Sequence, residues 1–388
     1  MKTGGLVSVA AAALVATIAG VGGTLPVVLA AAQAVGATPD QASSWVSGLG
    51  LATAASALIL SVRYRMPIIT AWSTPGAALI ASTSGVPSFA AAVGAFVLAA
   101  LLILLTAAVK PLGRLIGRMP PSIAAAMLGG ILLRLVMAMV EHVPSAPLLV
   151  LPLIALFLVA RLFFPALASL IVLVGGALLA WSLGLVKPLP SLGLSTLVVT
   201  APAWDVATLI GLGVPLYLVT MASQNLPGFA VLRANGYQPP VQPALLVTGI
   251  GSTLLAPFGS HAINMAAITA SIVTGPDCHP DPKKRWLVAW PYLVLYGLIG
   301  LMAASFVHVL GALPKDVITA IAGLALFSPL MGGVTAMMKE PRDIESALVT
   351  FLVTASGLTI MGVGSAFWGL VAGLVLFGAR HLIQQKRV

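Results

Sequence analysis

Apolar runs of membrane-spanning length recur from Leu6 to Ile383 with short connectors between them, a pattern that predicts a polytopic α-helical membrane protein. Fourteen segments are read, near 5–35, 40–61, 67–83, 88–109, 121–140, 147–164, 165–185, 205–226, 241–257, 260–275, 286–310, 314–338, 343–361 and 364–384. Two of them are interrupted. PIITAWSTPGAALIAS (67–82) and APFGSHAINMAAITASIVTG (256–275) each carry a Pro- or Gly-marked polar break. After it only ~14 to 16 residues of apolar helix former remain, a helix of ~21 to 24 Å against a ~30 Å hydrocarbon core.

The two broken segments are the third of the first seven and the third of the last seven. Between the halves lies a longer, more polar connector, KPLPSLGLSTLVVTAPAW. The chain therefore divides into residues 1–186, a connector 187–204, and residues 205–388. An odd number of spans in each half makes the second enter the membrane from the opposite side, an all-α 7+7 inverted repeat in which segments 3 and 10 are each broken into a short strand and a half helix. Paired half helices of this kind point to a transporter binding site. Their free N-terminal N–H groups at membrane depth favour an anion.

Composition narrows the class further. Only 7% of residues are charged, 60% are hydrophobic and mean hydropathy is +1.10. The net charge of +10 could suggest nucleic acid, but its placement argues for topology. With a cytoplasmic N-terminus, all 19 Lys and Arg fall on the inner side except Arg134, Lys187 and Lys315. Both termini are then cytoplasmic, with anionic lipid headgroups beside the basic loops. Trp45, Trp181, Trp204, Trp286, Trp290 and Trp368 lie near segment ends, where interfacial anchors sit. The first segment is longer than a signal-peptide core and reads as an uncleaved signal. Cys278, the one cysteine, stands in the loop GPDCHPDPKKRW, read as solvated and too poor in ligands for a metal. No cofactor is implied.

Ionisable groups inside a membrane are functional candidates, and there are few. No Asp or Glu stands in the middle of a segment; Arg134 and Arg161, near segment ends, can snorkel to the interface. His261 stands at the break of the tenth segment, read as the start of its half helix. There it either couples proton uptake to anion binding or packs against a neighbouring carbonyl. Ser73, Thr74 and Gly76 flank the third-segment break, matched by Gly259 and Ser260, with Asn264 one turn on. All suit both helix capping and close approach of a ligand. In the eighth segment Gln224 and Asn225 form an amide pair that serves either as helix glue or as ligand contact, with Tyr217 two turns earlier on the Gln224 face.

The strings ITAWSTPGAALI, VTMASQNLPGFAVLRANGYQPP and APFGSHAINMAAITASI, followed by HPDPKKRW, resemble the benzoate:proton symporter family of bacterial inner membranes. More remotely they are similar to uracil and xanthine permeases and to sulfate and bicarbonate transporters. The resemblance spans essentially the whole chain. It implies a core domain (segments 1–4 and 8–11, about 5–109 and 205–310) and a gate domain (segments 5–7 and 12–14, about 121–185 and 314–384). It also implies elevator-like motion and a homodimer in the inner membrane. Benzoate or a related aromatic carboxylate would enter with a proton, its carboxylate at the Ser73–Gly76 and Ser260–Ala262 turns and its ring against Trp72, Tyr217, Phe258 and Phe327. Nucleobase permeases carry carboxylates where this chain has Gln224 and His261, an exchange that suits an anionic substrate. His261 is then the proton-coupling candidate. An exchanger or uniporter of another small organic anion or nucleobase is the alternative; an anion channel or a membrane enzyme fits less well.

Overall fold

The computed structural model describes residues 4–109, 111, 119–165, 167–188 and 192–385. Lys2, Lys110, Arg114, Arg118, Lys386 and Arg387, used above for orientation, lie outside them. In chain order the elements are α1 (Gly4–Val21), α2 (Leu25–Ala34), α3 (Pro39–Tyr64), β1 (Thr70–Trp72), α4 (Thr74–Ser82) and α5 (Phe89–Ala108). Next come α6 (Pro121–Glu141), α7 (Pro147–Phe163), α8 (Ala168–Ser182), α9 (Val206–Ala234) and α10 (Val241–Leu255). The last are β2 (Ile263–Met265), α11 (Ile268–Thr274), α12 (Ala289–Leu301), α13 (Ala303–Gly311), α14 (Lys315–Met337), α15 (Ile344–Ala355) and α16 (Ser365–Gln385).

The protein is thus a mostly helical membrane protein. Among the described residues eight helical stretches are long and apolar enough to cross a bilayer, and α12–α13 adds a ninth if its 57° bend is one span. Leu148, Leu151, Leu158 and Leu162 on α7 remain exposed, as expected of a surface that faces hydrocarbon rather than water. Local sequence sets the helix starts. Thr38 and Gln41 form a reciprocal capping box at α3, with Pro39 in its first turn, and Ser73 and Ser88 cap α4 and α5.

Helices α3, α5, α10, α12 and α13 pack together with α1. Helices α6, α14, α15 and α16 pack as a second group, with α7 and α8 against α14. The groups meet where α4 lies on α6 and α2 on α14. Through the first group run β1 and β2, paired antiparallel with Thr70 opposite Met265, Ala71 opposite Asn264 and Trp72 opposite Ile263.

Three expectations need correction here. The half helices are shorter than read, nine and seven residues, because the extended backbone of the two paired strands takes up part of each apolar run. Trp45 is no interfacial anchor: it is fully buried, because its indole fills the space between α3 and the 259–261 turn. Cys278 is fully buried as well, and burial pushes its thiol up to about 11.

Close helix contact here depends on glycine. At Gly50 on α3 an added methyl would meet the backbone of Gly300 on α12 at 2.8 Å, whereas at Gly297 on α12 nothing lies within 4 Å. Gly50→Ala should therefore lower the thermal midpoint in detergent, through an overpacking cost of about 1–3 kcal/mol, while Gly297→Ala should leave it unchanged or raise it slightly. Equal midpoints for the two variants would contradict this packing.

Candidate functional site

Extended backbone at membrane depth leaves polar groups that must be satisfied by protein, and the side chains around the crossing do this. Ser73 N donates to Ala262 O at 3.1 Å and Ala266 N to Ile69 O at 3.0 Å, extending the strand pair at both ends. Ile263 N donates to Ser252 Oγ (2.9 Å) and Met265 N to Asn225 Oδ1 (2.9 Å). Tyr292 on α12 donates its hydroxyl to Thr70 O at 2.9 Å, and Thr70 Oγ1 lies 2.7 Å from Ser56 Oγ. The Asn264 amide is oriented so that its nitrogen donates to Met265 O and its oxygen accepts from Ser73 N.

His261 is the centre of this arrangement. The indole Nε1–H of Trp45 donates to His261 Nδ1 at 3.0 Å, and His261 Nε2 lies 2.8 Å from Ser73 O. An indole nitrogen can only donate. Nδ1 is therefore the acceptor, and the ring proton sits on Nε2, donated to Ser73 O. The imidazole ties α3, the second crossing strand and the N-cap of α4 into one unit, with both nitrogens engaged. His261 does not open a half helix, as the sequence suggested. It lies in extended chain seven residues before α11, because Gly259 at φ +94° turns the backbone against Trp45 and Phe89 and sends residues 260–265 into the strand pairing. For the same reason Asn264 is a strand residue and not one turn along a helix.

At the N-terminus of α4, Ser73 Oγ accepts from Gly76 N at 3.0 Å and lies 3.3 Å from the hydroxyl of Thr220 on α9. Among the described residues Thr74 N–H has no backbone acceptor, and its residue is only half-buried. The expected cradle of free amides is thus reduced. Ser73 N, Gly76 N and Ser260 N are already committed, the last to Leu255 O, and Thr74 N–H is the donor left over on α4.

Helix α9 carries two π turns, Leu209–Gly213 and Met221–Asn225. The second inserts one residue between Tyr217 and Gln224, which separates their faces. Tyr217 is buried and lies 2.5 Å from Thr106 Oγ1 on α5. Asn225 turns to the crossing, and Gln224 stays half-buried without a hydrogen bond among the described residues, on the turn that packs against α6. Trp72 is buried, donating its indole N–H to Thr24 Oγ1 at 2.9 Å and meeting Tyr296 edge-on. Phe258 sits beside the Ser44 hydroxyl, which donates to its carbonyl. Phe327 lies on α14 against Phe157 and under Arg161. So Ser73, Thr74, Gly76, Asn225, His261 and Asn264 are brought together, while Trp72, Tyr217, Phe258 and Phe327 are engaged elsewhere. The sequence reading missed Trp45, Thr220, Ser252 and Tyr292, whose roles are visible only once the crossing fixes which residues approach.

Residues 5–378 match the family described as benzoate membrane transport protein. The chain belongs to that family. It is 37% identical over 382 residues to the inner membrane protein YdcO of Escherichia coli K12, covering 97% of this chain and 96% of the relative. It is 32% identical over 367 residues to the benzoate membrane transport protein of Acinetobacter baylyi, covering 94% and 93%. Among solved structures, the transmembrane domain of the cyanobacterial bicarbonate transporter BicA aligns at TM-score 0.62 with 17% identity, covering 96% of this chain and 98% of that one. SLC26A9 aligns at 0.68 with 12% identity over 96% of this chain and 65% of its own. Those two similarities concern the fold. As a member of the benzoate membrane transport family the chain is a membrane transporter and not an enzyme.

The crossing predicts its own sensitivity. Asn225→Leu leaves Met265 N–H buried and unpaired, a cost of about 1–3 kcal/mol, whereas Asn225→Ser retains a short acceptor. Thermal unfolding in detergent should rank wild type above Asn225→Ser above Asn225→Leu; identical midpoints would remove Asn225 from the crossing.

Proposed function

We propose that this transporter imports benzoate or a related aromatic carboxylate together with a proton, by elevator-like movement of α1–α5 and α9–α13 against α6–α8 and α14–α16. In this reading the fourteen segments form two inverted repeats of seven, both termini are cytoplasmic, and the protein works as a homodimer in the bacterial inner membrane. The observation that carries it is the α4 N-terminus. There the half-buried Thr74 N–H and the unengaged Gln224 amide stand near the seam with α6. A helix N-terminus and a neutral amide favour a carboxylate, and no acidic side chain stands in β1, α4, β2 or α11 to repel one. The carboxylate would meet Thr74 N–H and the Ser73 hydroxyl. Its ring would lie in the seam between the two helix groups, with Phe327 on the α14 wall reached by movement of the groups.

His261 is the candidate proton carrier, and its geometry sets a condition. Nδ1 takes a proton only after the Trp45 indole lets go, so coupling would require that bond to open with the transport motion. That same engagement of both ring nitrogens favours a second reading, uniport or exchange of the carboxylate without a proton.

His261→Gln separates the two. A glutamine side chain can donate to Ser73 O and accept from Trp45, keeping the ties while losing the titration. In proteoliposomes an imposed inward proton gradient should accelerate benzoate uptake by the wild type and not by His261→Gln. Wild-type uptake insensitive to the gradient, or a variant still driven by it, rejects this proton role.

Gln224→Glu places a negative charge near the carboxylate and should weaken benzoate binding by about ten- to a hundredfold, read by calorimetry near neutral pH. Unchanged affinity would move the substrate away from Gln224.

A further inference from the structure

The two half helices have C-termini as well as N-termini, and each C-terminus presents unpaired carbonyls with partial negative charge. Both ends are met by an arginine. Thr274 O, at the end of α11, accepts from Arg285 Nη1 at 2.5 Å, and Arg285 Nε donates to His279 O at 2.8 Å. Arg285 is 7% exposed and lies in the short turn that leads into α12, within the same helix group as α11. Ser82 O, at the end of α4, accepts from Arg134 Nη1 at 2.9 Å. Arg134 comes from α6, across the seam. One cap is built into its own body, and the other joins two bodies.

The surroundings of Arg134 also differ. Its guanidinium lies flat on Gly357, where an added methyl would meet Cζ at 2.8 Å and where φ is +71°. Among the described residues a single hydrogen bond, to a neutral carbonyl, holds it. Around it is a cleft lined by Ser82, Thr83 and Ser84 from one side and by Thr354, Thr359 and Ser365 from the other. The cleft volume is about 10 Å³, room for roughly one water and not for an aromatic ring. Thr354 is 1% exposed and lines this cleft, and its hydroxyl, packed against Gly369 of α16, has no partner among the described residues. Arg134, read from the sequence as able to snorkel, is half-buried, with its guanidinium on the α4 carbonyl.

We propose that Arg134 is the capture point for the carboxylate on the face opposite the basic loops, and that the same guanidinium latches the two helix groups together until an anion replaces Ser82 O. A carboxylate offers two charged acceptors to a planar fork of donors where Ser82 offers one neutral oxygen. Substrate arriving from that face releases the α4 end from α6, which frees the seam to open towards the α4 N-terminus. This inference rests on the reading of the protein as a carboxylate transporter and adds to it a sided entry site.

The test is sided kinetics with the full chain, comparing benzoate uptake by intact cells with uptake by inside-out vesicles. Arg134→Gln should raise the KM seen from the cell exterior by about ten- to a hundredfold and leave the KM from the other face unchanged, with Arg134→Lys intermediate. A wild-type exterior KM in Arg134→Gln overturns the proposal. So does an equal rise at both faces, which is what a merely structural role produces. If Arg134→Gln does not insert, Arg134→Lys carries the same expectation at several-fold, and a wild-type exterior KM in that variant overturns it. Absence of benzoate uptake by the wild type overturns the transport reading itself and is distinguished from these outcomes by that control.

Discussion

The constraint on which the rest of the structure depends is the hydrogen bonding of non-helical backbone at membrane depth. Two strands of three residues can satisfy only part of each other's polar groups. The remainder fall to Ser252, Asn225 and Tyr292, contributed by α10, α9 and α12. Each of those helices is thereby fixed relative to the crossing. His261 then joins Trp45 to the Ser73 carbonyl, so the helix end proposed to meet substrate is held by the same network. Binding geometry and fold stability share their residues, and substitutions there will move both.

If the two helix groups move as proposed, a rigid crossing places that movement at the seam. The contacts across it are of a different kind: α4 on α6, α2 on α14, and the π turn of α9 facing α6. Polar ties of the kind that lock the crossing are sparse there, Arg134 to Ser82 O being one. A rigid unit bearing the helix ends, set against a second group of helices through a largely apolar seam, is the arrangement a moving carrier needs. Bistability of packed interfaces of this sort is how small binding energies become large displacements.

Much of this was legible in the chain. The paired breaks at 67–82 and 256–275 marked the crossing, because Pro, Gly and Ser clustered inside an apolar run interrupt a helix where lipid would otherwise demand one. The matched strings carried the family. Partners were not legible. Trp45 looks like an interfacial anchor from its position near a segment end, and only the turn at Gly259 brings His261 to its indole. Helix phase was lost at Met221–Asn225, since a π turn has no simple sequence signature and rotates Gln224 away from Tyr217. Arg134 was read as able to snorkel because it stands near a segment end, and nothing in the chain pointed to the carbonyl it meets. The carbonyl that holds it belongs to a half helix whose length the sequence overestimated.

The central claim is that a carboxylate binds at the N-terminus of α4 beside the crossing. It is tested most directly by an experimental structure with benzoate bound. The account predicts the carboxylate against Thr74 N–H and the Ser73 hydroxyl, with the ring in the seam towards α6 and α14. Benzoate ordered at a distance from the two strands, with the α4 N-terminus unaltered and empty, would contradict it.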